Sequence, residues 1–134
     1  LVTLSYIGSN KVVQNYNVMG VAKASLESSV LYLADSLGDR RIRVNAVSAG
    51  PIKTLAAAGI SGFNKILDVY QQKSAIKDNI TTDDVAKAVC FLLSDYSNAI
   101  TGQTIYVDNG FNIIGYWFKY SSLISTSKDS NFEM

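Results

Sequence analysis

The 134-residue sequence has no histidine, one cysteine, one proline and one tryptophan. Without histidine, Ser-His and Cys-His hydrolase chemistry is excluded, and with a single cysteine so is a zinc site. Cys90 has no partner for an internal disulfide, and nothing here argues for secretion. Its apolar neighbours predict a buried thiol. Charge is sparse: Asp, Glu, Lys and Arg make up 17%, with a net charge of +1. The one basic cluster, Arg40-Arg41-Ile42-Arg43, gives no support for nucleic-acid binding. No apolar run reaches the length of a membrane span, and the N-terminus does not resemble a signal peptide. What is present is 48% hydrophobic residues in a chain of one-domain length, which predicts a globular fold.

Tyr16 and Lys23 stand seven residues apart. On a continuous helix that is about 20° of rotation and about 10 Å of rise, so two long side chains can converge on one small ligand. A phenol can give a proton or a hydrogen bond to developing negative charge. An ammonium beside it favours phenolate and can also hold hydroxyl groups. This is an acid with an electrostatic helper, not a nucleophile. Singly, each residue has an ordinary alternative: a half-buried tyrosine, a solvated lysine, a core-filling Met19. Tyr6, which follows an apolar run, can simply close a strand. The functional reading rests on their conjunction.

The segment resembles the active-site helix of the short-chain dehydrogenase/reductase superfamily, with a substitution. Most members carry Tyr-x-x-x-Lys with a Ser about thirteen residues before the Tyr. Here Met19 stands four before Lys23, Tyr6 occupies the serine position, and Tyr16 lies about a turn upstream. That pattern is similar to the NADH-dependent enoyl-acyl-carrier-protein reductases of bacterial and plastid fatty acid synthesis. The likeness runs through Asn15-Tyr16-Asn17-Val18-Met19-Gly20 and Ala22-Lys23-Ala24-Ser25-Leu26-Glu27. It implies a Rossmann-like, doubly wound parallel α/β sheet and NADH as cofactor. The implied substrate is an enoyl thioester on acyl carrier protein, and the implied assembly a homotetramer in a bacterial or organellar cytoplasm. Catalytic residues would be Tyr6, Tyr16 and Lys23, with Lys23 also on the nicotinamide ribose and Met19 packed beside the ring.

A second motif is Arg43-Val44-Asn45-Ala46-Val47-Ser48-Ala49-Gly50-Pro51-Ile52-Lys53-Thr54. Val44, Ala46 and Val47 read as a buried strand, and Pro51 fixes its exit. Ligands of open parallel sheets bind outside the carboxyl ends of strands, which makes Ile52, Lys53, Thr54, Leu55 and Ala56 the cofactor-binding candidates. The Thr54 hydroxyl, at a possible helix start, suits a phosphate oxygen. Taken alone, Ala-Gly-Pro is an ordinary strand-to-loop turn. The small, glycine-bracketed run from Leu55 to Phe63 suits a movable lid over an apolar ligand, or a short surface helix.

The remaining pattern predicts strands at Leu1–Ser5, Ile42–Ser48 and Gln103–Val107. A long helix from Tyr16 to Leu37 carries the stripe Met19, Ala22, Leu26, Val30, Leu33 and Leu37 and stops at Gly38. Further helices are expected at Ser61–Lys73 and, capped by Thr81-Thr82-Asp83-Asp84, up to Leu93. Asp108-Asn109-Gly110 resembles the superfamily's Asp-Gly-Gly, since Asn also accepts positive φ. Residues 1–115 are thus expected to form only the second half of the family's fold, with no glycine-rich phosphate loop, and Ser-rich 116–134 a disordered or aberrant tail. An ordinary carbonyl dehydrogenase of the superfamily predicts Ser for Tyr6 and Tyr for Met19, and the chain has neither. The alternative to a reductase is an inactive truncated fragment that acts as a packing or oligomerisation module.

Overall fold

The computed structural model describes residues 1–54 and 62–115. The expectations for Leu55, Ala56, most of the 55–63 lid and the tail 116–134 lie outside the described residues. Three parallel strands, β1 (Val2–Ser5), β2 (Asn45–Ala49) and β3 (Thr104–Val107), form one sheet in the order β1-β2-β3. Leu4 pairs with Val47, and Val47 with Ile105. Helix α1 (Val18–Gly38) connects β1 to β2, while α2 (Phe63–Lys73) and α3 (Thr82–Leu93) lie between β2 and β3.

β2 is the central strand, and its alternation feeds two cores. Ala46 packs with Val30 and Ala34 of α1 and with Val44, while Val47 packs with Ile80 and with Val85 and Leu92 of α3. Successive side chains on a strand point to opposite faces, so a strand covered on both sides must be apolar at both. Asn45 to Ser48 are all at most 1% exposed. The buried Asn45 side chain is satisfied, since it donates to Ile100 O at 2.9 Å and accepts from Gln103 N at 3.0 Å. Arg43 closes the adjacent corner by donating to Leu92 O at 2.8 Å and Ser94 O at 3.1 Å. The expected cap of α3 is present: Asp84 N donates to Thr81 Oγ1 at 3.3 Å and Thr81 N to Asp84 Oδ2 at 2.8 Å.

Four local expectations change. Asn15 and Asn17 take positive φ, 64° and 45°, so the regular helix starts at Val18 and leaves Tyr16 in the turn before it. Asn17, at φ 45° and ψ -124°, lies outside both helical basins, so the chain bends there before the helix begins. At the far end Gly38 stays helical, and the left-handed residue is Arg41 at φ 58°. The buried face of α1 is Val30 and Ala34, with Leu37 packed alongside; Met19 and Leu33 are 48% and 45% exposed. Cys90 is exposed, not buried. Five positions past Val85 it has turned about 140° away from the face that packs on the sheet.

Candidate active site

The site starts where β1 ends. Tyr6 continues β1 in extended conformation, and a single 3-10 turn, Ile7–Ser9, follows. That turn brings the Gly8 backbone under the ring of Tyr16. A Cβ at Gly8 would stand 2.4 Å from Tyr16 Cδ1, so only glycine leaves room for the ring. Gly20 repeats the device from the helix side: a Cβ there would stand 2.8 Å from Gly8 O. The opposite boundary of Tyr16 is the ring of Tyr6, edge-on with centroids 5.0 Å apart and planes at 61°. Edge-to-face contact is a favoured arrangement for two aromatic quadrupoles.

Burial, and secondarily the neighbouring Tyr6, hold the Tyr16 phenol above its ordinary pKa of 10.0. The folded site therefore favours the neutral, proton-bearing phenol. Lys23 is not among the causes of that shift. The causes of the shift are burial and Tyr6, and the ammonium of Lys23 is directed elsewhere, donating to Leu4 O at 2.9 Å. Asn15 and Asn17, both at positive φ, take Tyr16 off the regular helix that carries Lys23. Lys23 and Glu27, one turn apart on α1, both tie that helix to β1. Ser5 Oγ donates to Glu27 Oε1 next to the Lys23 bond.

Tyr6 has a further partner that sequence reading missed. Its hydroxyl lies 3.2 Å from that of Tyr70 on α2. Tyr70 is 7% exposed and stacked on Phe111, with centroids 3.8 Å apart and planes at 15°. Burial, followed by the hydrogen bond to Tyr6, pushes the Tyr70 phenol far above its usual range. The pair is 64 residues apart in sequence, and no local pattern signals such a contact. The asparagines flanking Tyr16 were a readable turn signal, because asparagine favours turns over helix interiors.

Among the cofactor-binding candidates, Ile52 is half-buried and packs on the core beside β2, while Lys53 and Thr54 are exposed. Ile52 and Lys53 border a cleft of about 310 Å³ with Leu67, Asn79, Ile80, Thr81 and Thr82. Since β1 and β2 are adjacent and parallel, Tyr6 and Ile52 leave the sheet at the same edge. Among the described residues no group of His, Cys, Asp or Glu could hold a metal. Nor is any helix among them long and apolar enough to cross a membrane.

The arrangement has counterparts. The reductase FabI of Buchnera aphidicola, named an NADH enoyl-[acyl-carrier-protein] reductase, is 56% identical over 113 residues, 84% of this chain and 44% of its own length. The Bacillus cereus enoyl-acyl carrier protein reductase, solved with NADP+ and an indole naphthyridinone, superposes with TM-score 0.83 at 50% identity. The match covers 86% of this chain and 45% of that one. The Anaplasma phagocytophilum reductase in complex with NAD gives TM-score 0.81 at 52% identity, over 87% of this chain and 45% of its own. The chain thus spans less than half the length of the relatives it matches. Residues 1–112 match the family profile described as Enoyl-(Acyl carrier protein) reductase, so with the parallel sheet and its tyrosine-lined edge in view, the chain belongs to the enoyl-acyl-carrier-protein reductase family.

Proposed function

We propose that this chain supplies the proton-donor side of an NADH-dependent enoyl-[acyl-carrier-protein] reductase, which reduces trans-2-enoyl thioesters to saturated acyl thioesters in fatty acid biosynthesis. The observation that carries the reading is the neutral Tyr16 phenol, fixed between the Gly8 backbone and the Tyr6 ring at the carboxyl edge of the sheet. NADH, when bound, supplies the hydride to the β-carbon. The residues present fit such a group. Lys23 spends one of its three N–H donors on Leu4 O among the described residues and has the others for ribose hydroxyls. Past β2, the backbone of Ile52 and Lys53 offers groups for the carboxamide, and Thr54 stands beside them on the phosphate side in this reading. Leu55 and Ala56 complete that set in this reading.

Hydride addition leaves negative charge on the thioester oxygen. Tyr16 donates a hydrogen bond or proton to that oxygen, a stabilisation where charge develops. Its phenol, held above the ordinary 10.0 by burial and by Tyr6, is neutral at neutral pH, as an ordinary tyrosine also is, and so has a proton to donate. Tyr6 walls the site and keeps its own hydroxyl on Tyr70. Met19, half-exposed on the first turn of α1, borders the space for an acyl chain.

The assembly in this reading is a homotetramer, located in the bacterial or organellar cytoplasm. Its support is the apolar surface of α1: Val18, Val21, Leu31 and Tyr32 are 58–75% exposed. The same surface favours the second reading, a packing or oligomerisation module without activity. Thioester-dependent NADH oxidation by the 134-residue chain, with a short trans-2-enoyl thioester, separates the two. Turnover abolished by Tyr16→Phe and by Lys23→Ala is expected. No turnover from folded protein would leave the module.

A further inference from the structure

Tyr16 carries the chemistry proposed above, yet among the described residues no hydrogen bond to its own hydroxyl holds its ring. Its position is set by packing, with the Gly8 backbone on one side and the edge of Tyr6 on the other. Gly8 is a rigid wall. Tyr6 is a long, half-buried side chain, and it can act as a wall only if its far end is held. The group that holds it is the Tyr70 hydroxyl at 3.2 Å. Tyr70 is itself fixed, buried and stacked face to face on Phe111, just past β3. Phe111 in turn sits in a turn built on Asp108, whose carboxylate accepts from Gly110 N at 3.0 Å and from Asn112 N at 2.9 Å. A continuous line of contact therefore runs from the end of β3 through α2 to the end of β1 and the turn before α1.

We infer that Tyr70 is a positioning residue of the site: by anchoring the Tyr6 hydroxyl it fixes the ring that fixes Tyr16. In this inference Tyr70 acts through Tyr6. Its role rests on the reductase reading for its consequence in catalysis, but not for its structural effect. The hydroxyl–hydroxyl bond ties the polar end of Tyr6 to Tyr70, while the Tyr6 ring meets Tyr16. Freed of Tyr70, the Tyr6 ring samples other staggered positions, and the Tyr16 phenol loses one wall. Misplacing a reacting group by about 1 Å is enough to slow chemistry severely, so loss of a single restraining bond is visible in kcat.

The test labels the chain with tyrosine enriched in carbon-13 at Cζ and follows Tyr16 by NMR, its resonance assigned through Tyr16→Phe. Tyr70→Phe keeps the stacked ring and removes only the hydroxyl. It is expected to move the Tyr16 resonance and its high-pH titration, and to lower kcat about fivefold with KM for the thioester unchanged, the scale of one hydrogen bond. Added to Tyr6→Phe, which breaks the same bond, it should have no further effect. Phe111→Leu, which removes the stack instead, serves as the second variant and should shift Tyr16 the same way. An unmoved Tyr16 resonance in folded Tyr70→Phe, or effects of Tyr6→Phe and Tyr70→Phe that simply add, overturns the inference. Should the unaltered chain lack turnover while the Tyr16 resonance still follows Tyr70, the reductase reading fails and the positioning stands. Full turnover with an unmoved resonance does the reverse.

Discussion

Alanine at Gly8 sets two effects of opposite sign against each other. Gly8 does not have the positive φ of Gly62, Gly102 and Gly110, so its backbone accepts alanine without strain. On that ground alone the substitution stabilises by about 0.4–1 kcal/mol, since the unfolded chain loses freedom. The new methyl would stand 2.4 Å from Tyr16 Cδ1 and 2.7 Å from Cε1. Carbon atoms rest at about 3.5–4.0 Å, so the ring must retreat by roughly 1 Å. It retreats into Tyr6, whose ring is already in edge contact. Forced overpacking of this kind costs about 1–3 kcal/mol, so the clash wins by roughly 1 kcal/mol. Thermal denaturation should therefore show Tm lowered by about 5 °C for a domain of this size. Turnover in the enoyl-thioester assay should fall by about two orders of magnitude, because the displaced group is the proton donor. Adding Tyr16→Ala removes the obstructing ring, and the stability deficit of Gly8→Ala should then vanish. A Gly8→Ala protein with unchanged Tm and rate would refute the claim that Gly8 is the wall behind Tyr16. A deficit that persists in the double variant would place the strain in the turn itself.

Both raised phenols make stability depend on alkaline pH. Folded Tyr16 and Tyr70 keep their protons beyond the ordinary 10.0, so their contribution is intact below about pH 10 and is lost as pH climbs through the folded values. Urea midpoints measured from pH 8 to 11 should be flat and then fall, and Tyr70→Phe should shrink the fall. Replacing Arg43 by Lys forfeits the fork that donates to Leu92 O and Ser94 O, and should cost about 2 kcal/mol in urea unfolding. Thr81→Ala removes the cap of α3 and should lower Tm by a few degrees without affecting the Tyr16 resonance. The Thr81 hydrogen bonds hold the Asp84 carboxyl below its ordinary 3.8, so the cap is expected to weaken only as acid titration passes below that value.

What was legible in the sequence was whatever a local pattern encodes. The strand expected at Ile42–Ser48 and observed at Asn45–Ala49 announced itself because a parallel strand between two helical layers is largely apolar on both faces, and the capping box at Thr81 and Asp84 is a four-residue signal. Asn109 takes φ 55°, as its resemblance to glycine at that turn implies. α1 was harder. It is apolar nearly all round, so several stripes fit its sequence equally well, and only the partner across the interface decides which is buried. The sheet offers Val44 and Ala46, small residues that admit Val30 and Ala34 and leave Met19 and Leu33 outside. Cys90 went astray for the related reason that apolar neighbours in sequence point in different directions on a helix.

The spacing of seven between Tyr16 and Lys23 assumes a continuous helix, a geometry the chain does not adopt. Regular helix would have set the phenol and the ammonium on one face. The two asparagines at positive φ instead make Tyr16 a loop residue, fixed by aromatic and glycine contacts, while Lys23 is oriented by Leu4 O. Separating the supports has a chemical use. A phenol held by packing keeps its hydroxyl free to donate, and a lysine held by one carbonyl keeps donors for a cofactor. Had the two bonded each other, the phenol would have been pulled toward phenolate and the ammonium spent. Burial and the neighbouring Tyr6 raise the Tyr16 pKa, which preserves the phenol as a hydrogen-bond donor but leaves it a weaker acid than a close Tyr–Lys couple would make it.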